Sequence, residues 1–337
     1  MLSRICQAKH SVVARGAMLA LCAVVISQAV GQVITHGDSS FDMPAANTTG
    51  ATVRTGSAGG TSNMFAGGDT TDQLFQQWWW YRVNGVNNRE FALSNRTSNI
   101  AVGNELTLHY SEPEGLDAVV RYRLIDGPNT PASCQVIGTV LLTTTSQTPL
   151  NVSFFGYIDL DLEGAGGDVA TFVAPGQLRV TDQATGFFGE VFAPTANFYG
   201  VGAFSTIRAL FSDADIDNLA NTGVPFGPGD FTGAVQWNVA VASGSPVQLP
   251  FAFSLNTSAN PCNNQLLGDA NCDGNITNFD IDCFITAIVS GEAAWMSACN
   301  AGGTCLYQCV LDINRDGRVD NFDIDPFVTC IINFGCP

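Results

Sequence analysis

Two stretches near the C-terminus constrain the fold of this chain more than any other feature. Each places Asp, Asn and Asp at alternate positions, then a glycine, a β-branched residue and a closing aspartate, over residues 269–280 and 312–323. The two stretches begin 43 residues apart, and nine of the fourteen residues over 269–282 and 312–325 are identical. This pattern fits the oxygen-ligand loop of an EF-hand. The duplication predicts a pair of calcium-binding loops.

The spacing predicts six oxygen ligands in each loop. Side chains at loop positions 1, 3 and 5 aim at one point, position 7 contributes its backbone carbonyl, and position 9 acts directly or through water, while position 12 closes the shell. The predicted metal ligands are Asp269, Asn271, Asp273, Asn275, Thr277, Asp280, Asp312, Asn314, Asp316, Arg318, Asp320 and Asp323. We therefore expect two Ca²⁺ ions as the cofactor.

The sequence predicts a helix after each loop and no long helix before it. Residues 257–264 and 301–305 are rich in helix breakers and turn formers. After the loops, apolar residues recur at helical spacing, at Phe279, Cys283, Phe284, Ala287 and Ile288 and again at Phe322, Pro326, Phe327, Cys330 and Ile331. Gly291 is the expected end of the first helix, and residues 292–298 form a short connecting helix.

A loop followed by a helix, repeated at the end of a chain, resembles the type I dockerin. The N-F-D-I-D form is similar to the dockerin-like tails of planctomycete secreted proteins. The resemblance covers residues 262–337 and implies a duplicated calcium-loop (F-hand) domain that docks onto a cohesin domain. It also implies that loop positions 10 and 11 help to select the partner, which are Asn278, Phe279, Asn321 and Phe322 here. Because both copies carry the same pair, they suit two-fold symmetric docking.

The N-terminus predicts export. Arg4, Lys9 and Arg15 accompany an apolar run over residues 17–26, and small residues follow. This is the pattern of a signal peptide, assigned to residues 1–31, and its apolar run is too short to span a bilayer comfortably. We expect a secreted or cell-surface protein with no membrane span in the mature chain.

The charge balance argues against nucleic acid as a partner. The chain has 13 basic and 30 acidic residues, and without residues 1–31 it keeps 10 basic residues and a net charge of −20. Such a surface repels nucleic acid and anionic membranes and attracts divalent cations. Solubility in an exported setting explains the same charge equally well.

Cysteines are concentrated in the same tail. Eight of the eleven lie between Cys262 and Cys336, which predicts four disulfides in a small exported module. Their pairing cannot be deduced from sequence. Cys134 is left over and is expected to be buried and inert.

Residues 33–258 show the period-2 alternation of β-strands. Residues 33–70 are rich in Gly, Ser and Thr and are expected to be irregular. Apolar residues alternate with polar ones at Leu106, Leu108, Tyr110, Ala118, Val120, Tyr122, Leu124, Val235, Trp237, Val239, Val241, Leu249, Phe251, Phe253 and Leu255. The predicted fold class is mainly β: an antiparallel β-sandwich with a small α-helical calcium-loop domain at residues 262–337.

This region also resembles an uncharacterised exported β-domain of bacterial surface proteins. The matching segments are residues 72–82, 154–162 and 228–238. The resemblance implies no activity, and we assign no catalytic residue.

Three side-chain groups in this region carry competing interpretations. Asp159, Asp161, Glu163 and Asp168 suit glycoside hydrolysis or the polar face of an ordinary strand. Asp213, Asp215 and Asp217 suit a cation site or an acidic turn or N-cap. Trp78, Trp79, Trp80 and Tyr81 suit a sugar-stacking platform or the core.

The leading functional prediction is a non-catalytic exported protein whose calcium-binding tail attaches it to a cohesin-like partner or the cell surface. One alternative is a carbohydrate-binding or glycoside-hydrolysing module with a polysaccharide partner. Another is a surface protein that calcium stabilises without docking.

Overall fold

The computed structural model describes residues 33–43, 54–55, 61–260, 262, 265–300, 305–315 and 318–336. The predicted signal peptide lies outside these residues. In chain order the strands are β1 (Val33–His36), β2 (Ser39–Asp42), β3 (Asn63–Phe65), β4 (Leu74–Val83), β5 (Phe91–Ala92), β6 (Arg96–Val102), β7 (Glu105–Ser111), β8 (Leu116–Asn129), β9 (Ala132–Thr144), β10 (Leu150–Leu160), β11 (Asp168–Ala174), β12 (Gln177–Asp182), β13 (Phe188–Phe192), β14 (Phe198–Ala203), β15 (Phe226–Gly229), β16 (Phe231–Val241) and β17 (Val247–Leu255). The helices are α1 (Phe204–Ser212), α2 (Ile281–Cys299), α3 (Tyr307–Leu311) and α4 (Ile324–Asn333).

The strands form three sheets. Five strands make one sheet in the order β14-β16-β10-β4-β5, and nine make another in the order β15-β11-β12-β13-β17-β9-β8-β7-β6. The third sheet is β1-β2-β3. The paired strands run antiparallel throughout. The prediction of a mainly β chain with antiparallel sheets and a small helical C-terminal region is confirmed.

The predicted alternation places apolar side chains inward. Leu106, Leu108 and Tyr110 are buried in β7, while the residues between them are half-buried. Side chains of the five- and nine-stranded sheets share one core, because the Trp79 ring of β4 lies 4.8 Å from the Phe251 ring of β17. The Trp79 indole N–H also donates to the Tyr122 hydroxyl at 2.6 Å. Apolar burial on the inner faces thus joins the two sheets.

The structure differs from the sequence prediction at the start of the β-strand region, residues 33–258. Residues expected to be irregular include β1, β2 and β3, where Phe41 and Met64 are fully buried. These strands are three or four residues long, too short for a clear period-2 signal. Helix α1 was also missed, and its apolar face buries Ile207 and Phe211.

The tail, residues 262–337, has its own small core. Helix α2 is interrupted at Gly291, whose φ of 78° lies in the left-handed region, so the predicted helix end and connecting helix both occur there. A five-residue helix, α3, precedes the second loop. The tail also contacts the β-strand region, where the Gln248 side-chain amide donates to the Cys305 carbonyl at 2.8 Å.

The predicted four disulfides are present in the tail. They join Cys262 to Cys309, Cys272 to Cys305, Cys283 to Cys299 and Cys330 to Cys336. The first two link the first loop and its approach to the segment that leads into the second loop. Cross-links of this kind stabilise a domain whose apolar core is small.

Candidate metal centres and interaction surface

The first acidic loop is organised by its own backbone. Asp269 is 4% exposed, and its carboxylate accepts hydrogen bonds from the backbone N–H groups of Asp273 at 3.0 Å and Gly274 at 2.9 Å. The Asp273 carboxylate accepts from the Asn275 N–H at 2.9 Å. Burial raises the pKa of Asp269. The chain therefore curls around its acidic side chains.

The closing aspartates of the two loops accept hydrogen bonds from backbone N–H groups at equivalent loop positions. Asp280 is fully buried and accepts from the N–H groups of Asn271 at 3.0 Å and Thr277 at 2.8 Å. Asp323 is also fully buried and accepts from Asn314 at 3.0 Å and Asp320 at 2.9 Å. An ionised carboxylate has about four lone-pair sites, so these bonds leave it able to bind a cation.

The other predicted ligands of the two loops differ in their contacts and burial. Thr277 and Asp320, at the same loop position, accept from the N–H groups of Phe279 at 3.2 Å and Phe322 at 2.9 Å. Asp312 is buried, whereas Asn314 and Arg318 are exposed. Asp316 lies outside the described residues.

The oxygen-rich donor set of the loops suits a hard cation such as Ca²⁺. In the first loop the Asn271 side-chain amide donates to the Asp273 carboxylate at 3.0 Å, so two predicted ligands contact each other. Among the described residues, two groups of three carboxylates come within 4.8 Å of one another, and both lie outside the loops: Asp159, Asp161 and Asp230, and Asp213, Asp215 and Asp217. The first-loop carboxylates Asp269, Asp273 and Asp280 are not brought that close together. The loops thus provide suitable chemistry, held by backbone hydrogen bonds.

The predicted partner-selecting residues are on the surface. Asn278 and Asn321 are exposed, and Phe279 and Phe322 are 73% and 76% exposed. Both pairs lie in a short 3₁₀ turn that links the loop to the following helix. The two copies therefore present the same side chains in the same local structure.

The two loop–helix units meet through equivalent residues. Phe284 of α2 and Phe327 of α4 are 43 positions apart, like the loops, and their rings stack at 3.9 Å with an angle of 5° between planes. Contact between a residue and its own counterpart is the sign of an approximate two-fold relation.

The aspartate cluster formed by Asp159, Asp161 and Asp230 lies where β10 ends beside the start of β16. Asp159 is 1% exposed and accepts from the Thr232 hydroxyl at 2.9 Å. Burial, reinforced by neighbouring carboxylates, raises the pKa of Asp159 to about 8 and that of Asp161 to about 6. The cluster is thus an electrostatically costly arrangement in the absence of a positive charge.

The structure tests the alternatives for the other two side-chain groups. Trp78, Trp79, Trp80 and Tyr81 are all buried, so the proposed sugar-stacking platform is wrong and both faces of β4 are core. Asp213, Asp215 and Asp217 follow the C-terminus of α1, so the N-cap alternative is also wrong. The acidic-turn and cation-site alternatives both stay open, because the three carboxylates lie within 4.8 Å of one another. Glu163 is exposed and accepts from the Gln73 side-chain amide at 2.9 Å.

Cys134 is buried as expected, and burial raises the pKa of its thiol to about 12. The thiolate is the reactive form, so alkylation by iodoacetamide at pH 8 is expected to be negligible in the native protein. In guanidinium chloride, without reductant, a chain lacking residues 1–31 should take up one label. Mass spectrometry checks both, and rapid native labelling would contradict an inert thiol.

Among the described residues, no helix has the length and apolar character needed to cross a bilayer. No family model matches the chain, and no curated protein matches it.

Three solved structures show a weak likeness to this chain. A bacterial glucoamylase complexed with acarbose has 7% identity and a TM-score of 0.43, over 66% of this chain and 31% of that chain. A putative aldose 1-epimerase from Escherichia coli K12 has 12% identity and a TM-score of 0.39, over 68% and 99%. A putative kojibiose phosphorylase from the human microbiome has 6% identity and a TM-score of 0.30, over 70% and 34%. The chain spans about a third of the first and third, and these likenesses assign no function.

Proposed function

We propose that this is an exported, non-catalytic protein in which a dockerin-like tail binds two Ca²⁺ and docks onto a cohesin-like domain. The two larger sheets form an antiparallel β-sandwich, which the tail attaches to its partner. Attachment to the cell surface is the alternative use of the same tail. Export agrees with the four disulfides, which form in oxidising compartments.

The observation that carries this proposal is a duplicated set of exposed apolar side chains. Both units expose a phenylalanine in the 3₁₀ turn and three aliphatic residues at four-residue intervals along the following helix. The equivalent pairs are Phe279 and Phe322, Ile281 and Ile324, Ile285 and Val328, and Val289 and Ile332. A contiguous exposed apolar surface marks an interaction site. Its presence in both copies supports docking through either unit.

Exchange of both surface phenylalanines for alanine is expected to abolish docking. Each is a large exposed side chain of the kind that contributes about 2 kcal/mol or more when buried at an interface. We expect Phe279→Ala/Phe322→Ala to weaken cohesin binding at least ~30-fold. Either single variant should bind within a few-fold of wild type, because the equivalent face remains. Isothermal titration calorimetry against cohesin domains in 1 mM CaCl₂ measures all three.

Phe172→Ala is the matched control, since Phe172 is 48% exposed but lies in the β-strand region. Its affinity should be unchanged. If the double variant and wild type bind with equal affinity, the proposed docking surface is refuted. Binding to cell envelopes without binding to any cohesin would favour the surface alternative.

The carbohydrate alternative gains no support from Trp78, Trp79 and Trp80, since these rings are buried. The acidic residues near Asp159 are its remaining structural basis, and it needs direct evidence of activity on a glycan. Glycan binding or hydrolysis by the chain without residues 1–31 would support it.

A further inference from the structure

The aspartate cluster of the β-strand region is used by neither the calcium loops nor the docking surface. Asp159 is the penultimate residue of β10, Asp161 follows that strand, and Asp230 is the single residue between β15 and β16. The register pairs Asp159 with Thr232, so the end of β10 lies next to the start of β16. One carboxylate oxygen from each aspartate lies within 4.8 Å of the others.

A fourth carboxylate is buried beside the cluster without a partner. Asp168, the first residue of β11, has no exposed surface, and neither of its carboxylate oxygens has a hydrogen-bond partner at ordinary distance and angle, although the Leu162 backbone lies near enough to lower its pKa. Its β-sheet partner Gly229 directly precedes Asp230. Asp161 and Asp230 are close enough for their charges to act on it. Leaving buried carboxylate oxygens without any compensating group is costly.

The charged groups that act on Asp159, Asp161 and Asp168 are themselves carboxylates, and each raises the pKa of its neighbour. Two further carboxylates add to the negative charge, because Asp72 acts on Asp161 and Asp182 acts on Asp168. The local charge balance thus calls for a bound cation or for shared protons.

We propose that Asp159, Asp161 and Asp230, beside the buried carboxylate of Asp168, form a binding site for a divalent cation of the calcium class. Oxygens bound to one Ca²⁺ at 2.3–2.6 Å can be at most about 5 Å apart, which the cluster satisfies. The site offers carboxylate and hydroxyl oxygens, which select hard cations over zinc or copper. The ion would hold the end of β10 against Asp230, which connects β15 of the nine-stranded sheet to β16 of the five-stranded sheet.

The test counts calcium ions bound per chain, using protein without residues 1–31 and CaCl₂ as the probe. Equilibrium dialysis should give three equivalents for wild type and two for Asp161→Asn/Asp230→Asn. The matched control, Asp38→Asn/Glu105→Gln, makes the same change of charge at two exposed carboxylates outside both acidic groups and should keep three. Thermal unfolding of the β-strand region should shift upward with calcium in wild type and in the control only.

A second readout separates lost binding from misfolding. In EDTA, Asp161→Asn/Asp230→Asn should melt at the same temperature as wild type or higher, because the amides remove repulsion. The proposal is overturned if this variant binds as many ions as wild type, or if the β-strand region shows no calcium-dependent shift in wild type. Protons shared among the aspartates would then compensate the charge. One equivalent in wild type, lost in the cluster variant, would support this site and refute calcium binding by the tail.

Discussion

Removal of calcium with EDTA is expected to unfold the tail while the β-strand region stays folded. A ligand present at 100 times its Kd stabilises the folded state by about 2.7 kcal/mol, so two tail sites would contribute about 5 kcal/mol. Without the ion, buried Asp269 and Asp280 repel each other. The two parts have separate apolar cores, which allows one to melt without the other.

Trp295 provides a local probe of this transition. It is fully buried in the tail, and its indole N–H donates to the carbonyl of Ala270, the second residue of the first loop, at 2.8 Å. The other four tryptophans lie in the β-strand region. EDTA should shift the Trp295 emission to longer wavelength, and excess CaCl₂ should reverse the shift.

Trp295→Phe provides the blank for this measurement, because the remaining emission comes from the β-strand region. A wild-type spectrum and melting curve that do not respond to EDTA, with no heat on calcium titration of the tail, would refute calcium-dependent folding. The disulfides must stay oxidised throughout, since they restrict the unfolded chain independently of the metal.

Replacement of Arg82 by methionine is expected to destabilise the β-strand region by about 3–5 kcal/mol, the cost of breaking a buried ion pair. The Arg82 guanidinium is 4% exposed and is paired with Glu90. It also donates to the Asp217 carbonyl at 2.6 Å and to the Asn218 side chain at 2.7 Å. This one side chain therefore ties β4 to the acidic turn after α1.

The loss should grow with pH. Burial raises the pKa of Glu90, and Arg82 opposes that rise. Without the guanidinium, the folded-state pKa of Glu90 climbs further above its unfolded value, so stability falls as pH rises beyond that unfolded value. The difference between Arg82→Met and wild type in urea denaturation should be larger at pH 8 than at pH 5.

Two variants control this experiment. Arg82→Met/Glu90→Gln removes both charges and should recover part of the loss, because no unpaired charge stays buried. Arg123→Met breaks an exposed pair with Glu105 and should cost no more than about 1 kcal/mol. An Arg82 variant no less stable than the Arg123 variant would show that the buried network adds nothing.

Features of the chain that depend on local spacing were predictable. The alternation in β7 and β8 and the helix break at Gly291 were read from neighbouring residues, and the structure agrees. The acidic loops belong to the same kind of signal. Their calcium remains a prediction, supported by the matching surroundings of Asp280 and Asp323.

Features that depend on burial of both faces were not predictable. Alternate residues of a strand point to opposite sides, so Trp79 was expected to face away from Trp78 and Trp80. The structure covers both faces of β4, and all three rings are core. A run of aromatic residues does not show which of its faces another element will cover.

The sequence by itself determined the duplicated acidic loops, the β-strand alternation and the concentration of cysteines, because each is a pattern among residues close together in the chain. Only the tertiary structure decided the disulfide pairing and the burial of both faces of β4. It also decided the meeting of Asp159 and Asp161 with Asp230. These depend on strand register and on packing between segments up to about 170 residues apart, as for Trp79 and Phe251. Long-range pairing of that kind leaves no periodic signal in the sequence.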